Sequence, residues 1–127
     1  MQEQHLFEYA VIRIMPRVER QEFVNAGIIL FCKSRQFLHV VYEVNEQKIK
    51  TLCPKCDVEE LAAHLQAFAL IAAGDKKAGP IAQLDPPSRF RWLTAQRSTI
   101  LQTSGVHPGL CDDPMQTVEK LFDQLVR

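Results

Sequence analysis

The chain lacks an excess of either charge: 15 lysines and arginines stand against 15 aspartates and glutamates in 127 residues. Without a net field there is no general electrostatic pull toward nucleic acid, so nucleic acid is not an expected partner and any such binding has to come from a local patch. A long hydrophobic run is also missing, for nothing approaches the ~18 consecutive apolar residues of a membrane span. The opening MQEQHLFEYA has neither the basic start nor the extended apolar core of a secretory signal. A cytoplasmic location without membrane contact is the expectation. Repeats and low-complexity tracts are absent, and 46% apolar with 24% charged residues is the composition of an ordinary folded domain. Residues 1–127 are expected to form one domain, a length that buries about two thirds of its unfolded surface.

Chemical signatures are equally scarce. There is no nucleophile elbow, no phosphate-cradling glycine loop and no paired metal-binding carboxylate motif, so neither a cofactor nor a metal is expected and no catalytic residue is assigned. The four cysteines include one close pair, Cys53 and Cys56 in CPKC. A redox Cys wants the amino terminus of a helix, but Asp57 is the expected cap, which leaves Cys56 outside the helix beside an anion. Zinc needs two more ligands, and Cys32, Cys111, His39, His64 and His107 show no second paired spacing. The segment reads as an ordinary loop, with its thiols reduced in the cytosol.

What is there points to an α+β fold. Leu6–Met15, Phe23–Cys32 and Phe37–Glu43 are rich in β-branched and aromatic residues and read as strands, the second and third forming an antiparallel hairpin. Gly27 marks a bulge or a close backbone approach. Asn45 caps a short helix through Leu52, and Asp57 caps a longer one whose stripe is Val58, Leu61, Leu65, Phe68 and Ala72, ending at Gly74. Asp75–Ser88 reads as a loop, followed by a helical turn capped by Ser88 and a strand at Thr99–Thr103. Asp113 and Pro114 open the last helix, with Val118, Leu121, Phe122, Leu125 and Val126 on its apolar face. The expected architecture is an antiparallel sheet of about four strands with the two main helices packed on one face.

The strongest candidate site is RFRWLTAQRS, three arginines and the only tryptophan within ten residues. Arginine presents a fixed fork of donors that stays charged, so Arg89, Arg91 and Arg97, with Ser98 alongside, suit a phosphate-bearing or other anionic group while Trp92 stacks on a ring or a guanidinium plane. The same residues also suit structural bracing, in which Phe90, Trp92 and Leu93 anchor the segment and the arginines pair with the protein's own acids. In EFVNAG, beside Glu22, the strand-borne amide of Asn25 either helps position a ligand or water or ties a neighbouring loop in place. Arg13, Arg17 and Arg20 extend a positive face or are neutralised by Glu19 and Glu22. His107, in the loop-like SGVHPG, is a candidate proton carrier if it faces the arginines.

The blocks FEYAVIRIMP, EFVNAGIILF, RFRWLTAQRSTILQTS and VHPGLCDDPMQTVEKLF, in this order across most of the chain, resemble a bacterial family catalogued as domain of unknown function 3037. The resemblance rests on Pro16 and Arg17, Glu22 through Gly27, Arg89 through Leu93 with Arg97 and Ser98, and His107 with Gly109. CPKC falls outside it. The resemblance implies no activity; it implies an accessory or regulatory role beside a serine/threonine kinase. Together these readings favour an uncharacterised accessory protein that binds a partner protein or a phosphate-bearing ligand through the arginine segment. The alternative is a phosphoester- or nucleotide-processing enzyme that uses the same arginines with His107 and with Glu22 or Asn25. The sequence leaves open a homodimer through an edge strand or the last helix.

Overall fold

The computed structural model describes residues 4–95 and 99–127. Its regular elements are β1 (His5–Arg17), β2 (Glu22–Cys32), β3 (Phe37–Tyr42), α1 (Glu46–Leu52), α2 (Val58–Ala73), α3 (Pro86–Thr94), β4 (Leu101–Thr103), β5 (His107–Cys111) and α4 (Pro114–Leu125). The sheet is antiparallel in the order β3-β2-β1-β4, and β5 also pairs with β1. The two short strands share one edge of β1: β5 lies along His5–Tyr9 and β4 along Ile12–Ile14. Between them Ser104 supplies the missing rungs. Its hydroxyl accepts from the Val11 N–H at 2.8 Å and its own N–H donates to the Val11 carbonyl at 2.8 Å. This explains why a serine is buried there, since a polar group away from water is tolerated when it is paired.

The α+β class and the antiparallel sheet stand as expected. In detail the sheet gains a fifth strand, and the two main helices lie on opposite faces instead of sharing one. Ala10, Ile12, Ile14, Ile29, Phe31 and Val40 pack with Leu61, Leu65 and Phe68 of α2 and with Phe90 and Leu93 of α3. On the other face Phe7, Val11, Ile28, Leu30 and Cys32 pack with Val118, Phe122 and Val126 of the α4 segment. The reason is legible in β1 and β2 themselves. Successive side chains of a strand point to opposite faces, and these strands are apolar at consecutive positions, so both faces require cover.

The caps form as read. Asn45, Asp57 and Asp113 accept from backbone N–H groups of the first turns of α1, α2 and α4. Gly74 closes α2 in the left-handed region at φ 73°, where its N–H donates to the Ile71 carbonyl and that of Asp75 to Leu70. Two expectations are corrected. The segment after Gly74 is not a plain loop, because Lys76–Ala78 and Pro80–Gln83 form helical turns and α3 begins at Pro86, earlier than Ser88. Prolines fit the first turn of a helix, where their missing N–H has no partner to lose. His107 is likewise not in a loop. It starts β5, pairs with Tyr9 and lays its ring 5.4 Å from the Tyr9 ring.

Gly27 combines both roles expected of it. The β1–β2 register passes from Ile12↔Gly27 to Arg13↔Asn25, which leaves Ala26 as the extra residue of a bulge. A β-carbon at Gly27 would lie 2.6 Å from the Val41 carbonyl oxygen. Gly27→Ala therefore has to force β3 away from β2 and is expected to cost roughly 1–3 kcal/mol, as overpacking does. Gly105→Ala, at a position with open space around it, is expected to change stability by less than about 0.5 kcal/mol. Urea denaturation of both variants checks the pair.

Candidate functional site

Arg89 and Arg91 do not form one charged surface. As a helix, α3 sends residues two apart to different sides, so Arg89 and Arg91 diverge. Arg89 is half-buried and donates from Nη1 to the Leu84 carbonyl at 2.7 Å. Its guanidinium lies over Gly74, 3.4 Å from where a β-carbon would sit, and its buried Nε has no hydrogen-bond partner. Arg91 is exposed and reaches the Ser88 hydroxyl, at 3.4 Å. Neither enters an ion pair among the described residues; a backbone carbonyl does the bracing at Arg89. Trp92 turns toward α2 and lines a groove of about 390 Å³ with His64, Phe68, Ile71 and Ile100. Arg97 and Ser98 lie outside the described residues.

The other expected site residues separate. Glu22 stands opposite Arg17 and His107 opposite Tyr9 on the same strand. At about 3.3 Å per residue, the path along β1 between those two positions is more than ~20 Å. One reacting atom cannot touch both, which removes the convergence that the enzyme reading required of His107 and Glu22.

Glu22 and Asn25 do meet in a cleft that the sequence did not reveal. Its walls are the start of β2 (Glu22, Phe23, Asn25), the outer side of α1 (Gln47, Lys48, Thr51, Leu52) and the end of α4 (Leu125), and it encloses about 710 Å³. Two side chains from distant parts of the chain hold α4 there. Asn25 donates from Nδ2 to the Leu125 carbonyl at 3.0 Å, and the Lys48 ammonium donates to the Val126 carbonyl at 3.1 Å. Cations are favoured at a helix carboxyl end, where carbonyls have no helical partner. Asn25 thus ties the carboxyl end of α4, where the sequence suggested a neighbouring loop, while its Oδ1 stays buried without a partner. Across the ladder Arg13 faces Asn25, and its guanidinium lies 4.2 Å from the centre of the Phe23 ring.

A second depression of about 430 Å³ adjoins the cleft, sharing Glu22 and Leu52 and adding Pro16, Arg17, Arg20, Cys53, Pro54 and Lys55. The two together carry four cations, Lys48, Arg17, Arg20 and Lys55, against the single carboxylate of Glu22, which Arg20 pairs. The basic turn is therefore neutralised only in part. In a chain with no net charge this is a local positive surface; Arg17 and Arg20 were legible as part of it, but Lys48 and Lys55 were not, because they come from α1 and the α1–α2 connection, far away in sequence.

The structure also corrects the reading of CPKC, for Cys53 and Cys56 are joined as a disulfide. The turn between α1 and α2 makes this feasible. The Cys56 N–H donates to the Cys53 carbonyl, and the two α-carbons are 5.4 Å apart, within reach of a bridge. Cys32 and Cys111 are buried free thiols, and burial, then the neighbouring Cys32, push the Cys111 thiol above its ordinary value. No cluster of three or more potential metal ligands occurs among the described residues, and no helix among them is long and apolar enough to cross a membrane.

The different roles of the two α3 arginines can be measured. Arg89→Ala is expected to lower stability by about 1.5–3 kcal/mol, the range for losing a charged hydrogen bond to a carbonyl. Arg91→Ala is expected to stay within about 0.5 kcal/mol of the parent, as surface substitutions do. Equal losses in urea denaturation would contradict this division.

Comparison with known proteins agrees with the resemblance of the sequence blocks. Neither the curated proteins nor the solved structures contain a match, whereas a family model described as "Protein of unknown function (DUF3037)" matches residues 9–126. That span runs from β1 to the end of α4 and takes in all three walls of the basic cleft, so the chain belongs to the DUF3037 family of proteins of unknown function.

Proposed function

We propose that the protein is a binding module that holds an acidic segment of a partner protein in the cleft between the start of β2, α1 and the end of α4. This keeps the accessory, partner-binding role expected from the sequence and moves its site away from the arginine segment. The observation that carries it is the composition of the cleft walls. Phe23 and Leu125 are left 40% and 37% exposed, next to cations of which Arg17 and Lys55 enter no ion pair among the described residues. Apolar side chains inside a concave surface offer burial to a ligand, and unpaired cations at its rim favour carboxylates and disfavour basic competitors. A segment with one or two large apolar residues flanked by Asp or Glu meets both demands.

Capture on this surface needs no proton transfer and no group brought to a reacting atom. The ligand's apolar residue would displace water from Phe23, Leu52 and Leu125, while its carboxylates would meet Lys48 and the neighbouring Arg17 and Lys55. Charge complementarity of this kind sets encounter rate and partner choice more than affinity, so weak, salt-sensitive binding is expected.

The test uses labelled peptides that carry a central Leu-Phe pair within acidic, neutral or basic flanks, followed by fluorescence anisotropy. The acidic series is expected to bind best. Thr51→Glu adds a carboxylate to the α1 wall without leaving the helix-forming residues, and Phe23→Ser removes the apolar contact. Each is expected to weaken binding about tenfold, or about 1.4 kcal/mol. Binding that ignores peptide charge, or that survives both substitutions unchanged, would overturn the proposal.

A further inference from the structure

The disulfide in CPKC lies on the wall of the basic depression, and nothing in the binding function above makes use of it. Its two sulfurs are not equivalent. Cys53 lines the depression together with Arg17, Arg20 and Lys55. Cys56 packs instead against the apolar layer between the sheet and α2. The Lys50 ammonium spans the turn between them, donating to the Cys56 carbonyl at 3.1 Å and to the Pro54 carbonyl at 3.4 Å. Asp57, the anion that speaks against redox tuning in the bare sequence, is engaged in capping α2 and accepts from the Glu60 N–H at 3.2 Å. The tertiary structure thus surrounds this pair with cations that come from β1, the β1–β2 turn and the end of α1.

We infer that CPKC is a reversible thiol–disulfide site whose exchanging sulfur is Cys53 and whose co-reactant is a small thiol bearing carboxylates, held by Arg17, Arg20 and Lys55. Exchange proceeds by attack of a thiolate on one sulfur of a disulfide, and Cys53 is the member of the pair that lines the open depression from which a thiolate can approach. In the first step the small thiolate bonds to Cys53 Sγ, the Cys53–Cys56 bond breaks, and Cys56 leaves as a thiolate that takes a proton from water. In the second step another small thiolate attacks the small molecule's sulfur in the mixed disulfide and releases Cys53 as a thiolate. Two electrons have then passed from two small thiols to the protein, which holds a dithiol, and the small thiols leave as their own disulfide. The reverse sequence re-forms the bridge.

The surrounding charge has two effects. It lowers the cost of the thiolate forms on the protein, as positive neighbours do for reactive cysteines generally. It also draws in an anionic thiol ahead of a neutral one, because a depression in which Arg17, Arg20 and Lys55 outnumber the carboxylate of Glu22 concentrates anions. The connection between α1 and α2 is short, and α1 carries the Gln47, Lys48, Thr51 and Leu52 wall of the cleft.

The experiment incubates the whole protein with glutathione, a thiol with two carboxylates, or with neutral 2-mercaptoethanol, quenches with an alkylating agent and follows the CPKC peptide by mass spectrometry. The pair is expected to interconvert between disulfide and dithiol as the ratio of oxidised to reduced glutathione changes. Arg17→Gln with Lys55→Gln, both at the surface, is expected to slow exchange with glutathione about tenfold while leaving 2-mercaptoethanol within about twofold, the signature of electrostatic recruitment. Cys56→Ser is expected to accumulate glutathione on Cys53, and Cys53→Ser to leave Cys56 free of it. A pair that stays bridged in the folded protein under fully reducing glutathione is a structural staple and overturns the inference. Equal slowing with both thiols, or capture of glutathione at Cys56, overturns it as well. None of these readouts depends on peptide binding to the cleft, so the two proposals fail independently.

Discussion

The constraint on which the rest of the structure depends is the complete enclosure of β1. Its backbone is paired on one side by β2 and on the other by β4 and β5 in succession, and its apolar side chains point to both faces. A strand in that position leaves no polar backbone group that can be abandoned, which is why the gap between β4 and β5 is bridged by the hydroxyl and N–H of Ser104. It also dictates cover on both faces. With α2 and α3 on one side and α4 on the other, every long helix takes its position from the apolar residues of β1 and β2.

The bulge at Ala26 links that frame to the candidate site. By shifting the register from Ile12↔Gly27 to Arg13↔Asn25, it sets the amide of Asn25 on the face covered by α4, where it ties the Leu125 carbonyl. Without the extra residue the end of β2 would present the opposite set of side chains to α4, since a shift of one residue exchanges the faces of a strand. Gly27 permits the arrangement by letting the Val41 carbonyl come close. The cleft exists because β2 bends there while α1 and the end of α4 close over it.

Charge follows the same pattern of local order without a global signal. The chain is neutral as a whole, yet the end of the sheet near the β1–β2 turn gathers Arg17, Arg20, Lys48 and Lys55 with Glu22 as the only acid in the cleft walls. The described part of the arginine segment, the most conspicuous feature of the sequence, is dispersed instead. Arg89 holds a carbonyl, Arg91 faces solvent, and Trp92 turns to α2. Closeness in sequence placed these residues on one helix, but a helix spreads neighbours around its axis, whereas strands and connections from distant positions can bring cations onto one surface.

The sequence by itself determined the fold class and most of the secondary structure. Apolar runs marked β1, β2 and β3, Asn45, Asp57 and Asp113 marked the helix starts, and Gly74 a helix end, because these signals act through the local backbone. The short strand β5 escaped notice, since His107–Cys111 contains Pro108 and Gly109 and becomes a strand only by pairing with an exposed edge of β1. Of the candidate site, Glu22 and Asn25 were legible as polar residues in or beside an apolar strand. Their partners, Lys48 and the end of α4, were not, nor was the basic surround of Cys53. Only the tertiary structure decided those, because the contacts join residues as distant as Asn25 and Leu125, and no local preference of the chain encodes where two remote segments come to rest against each other.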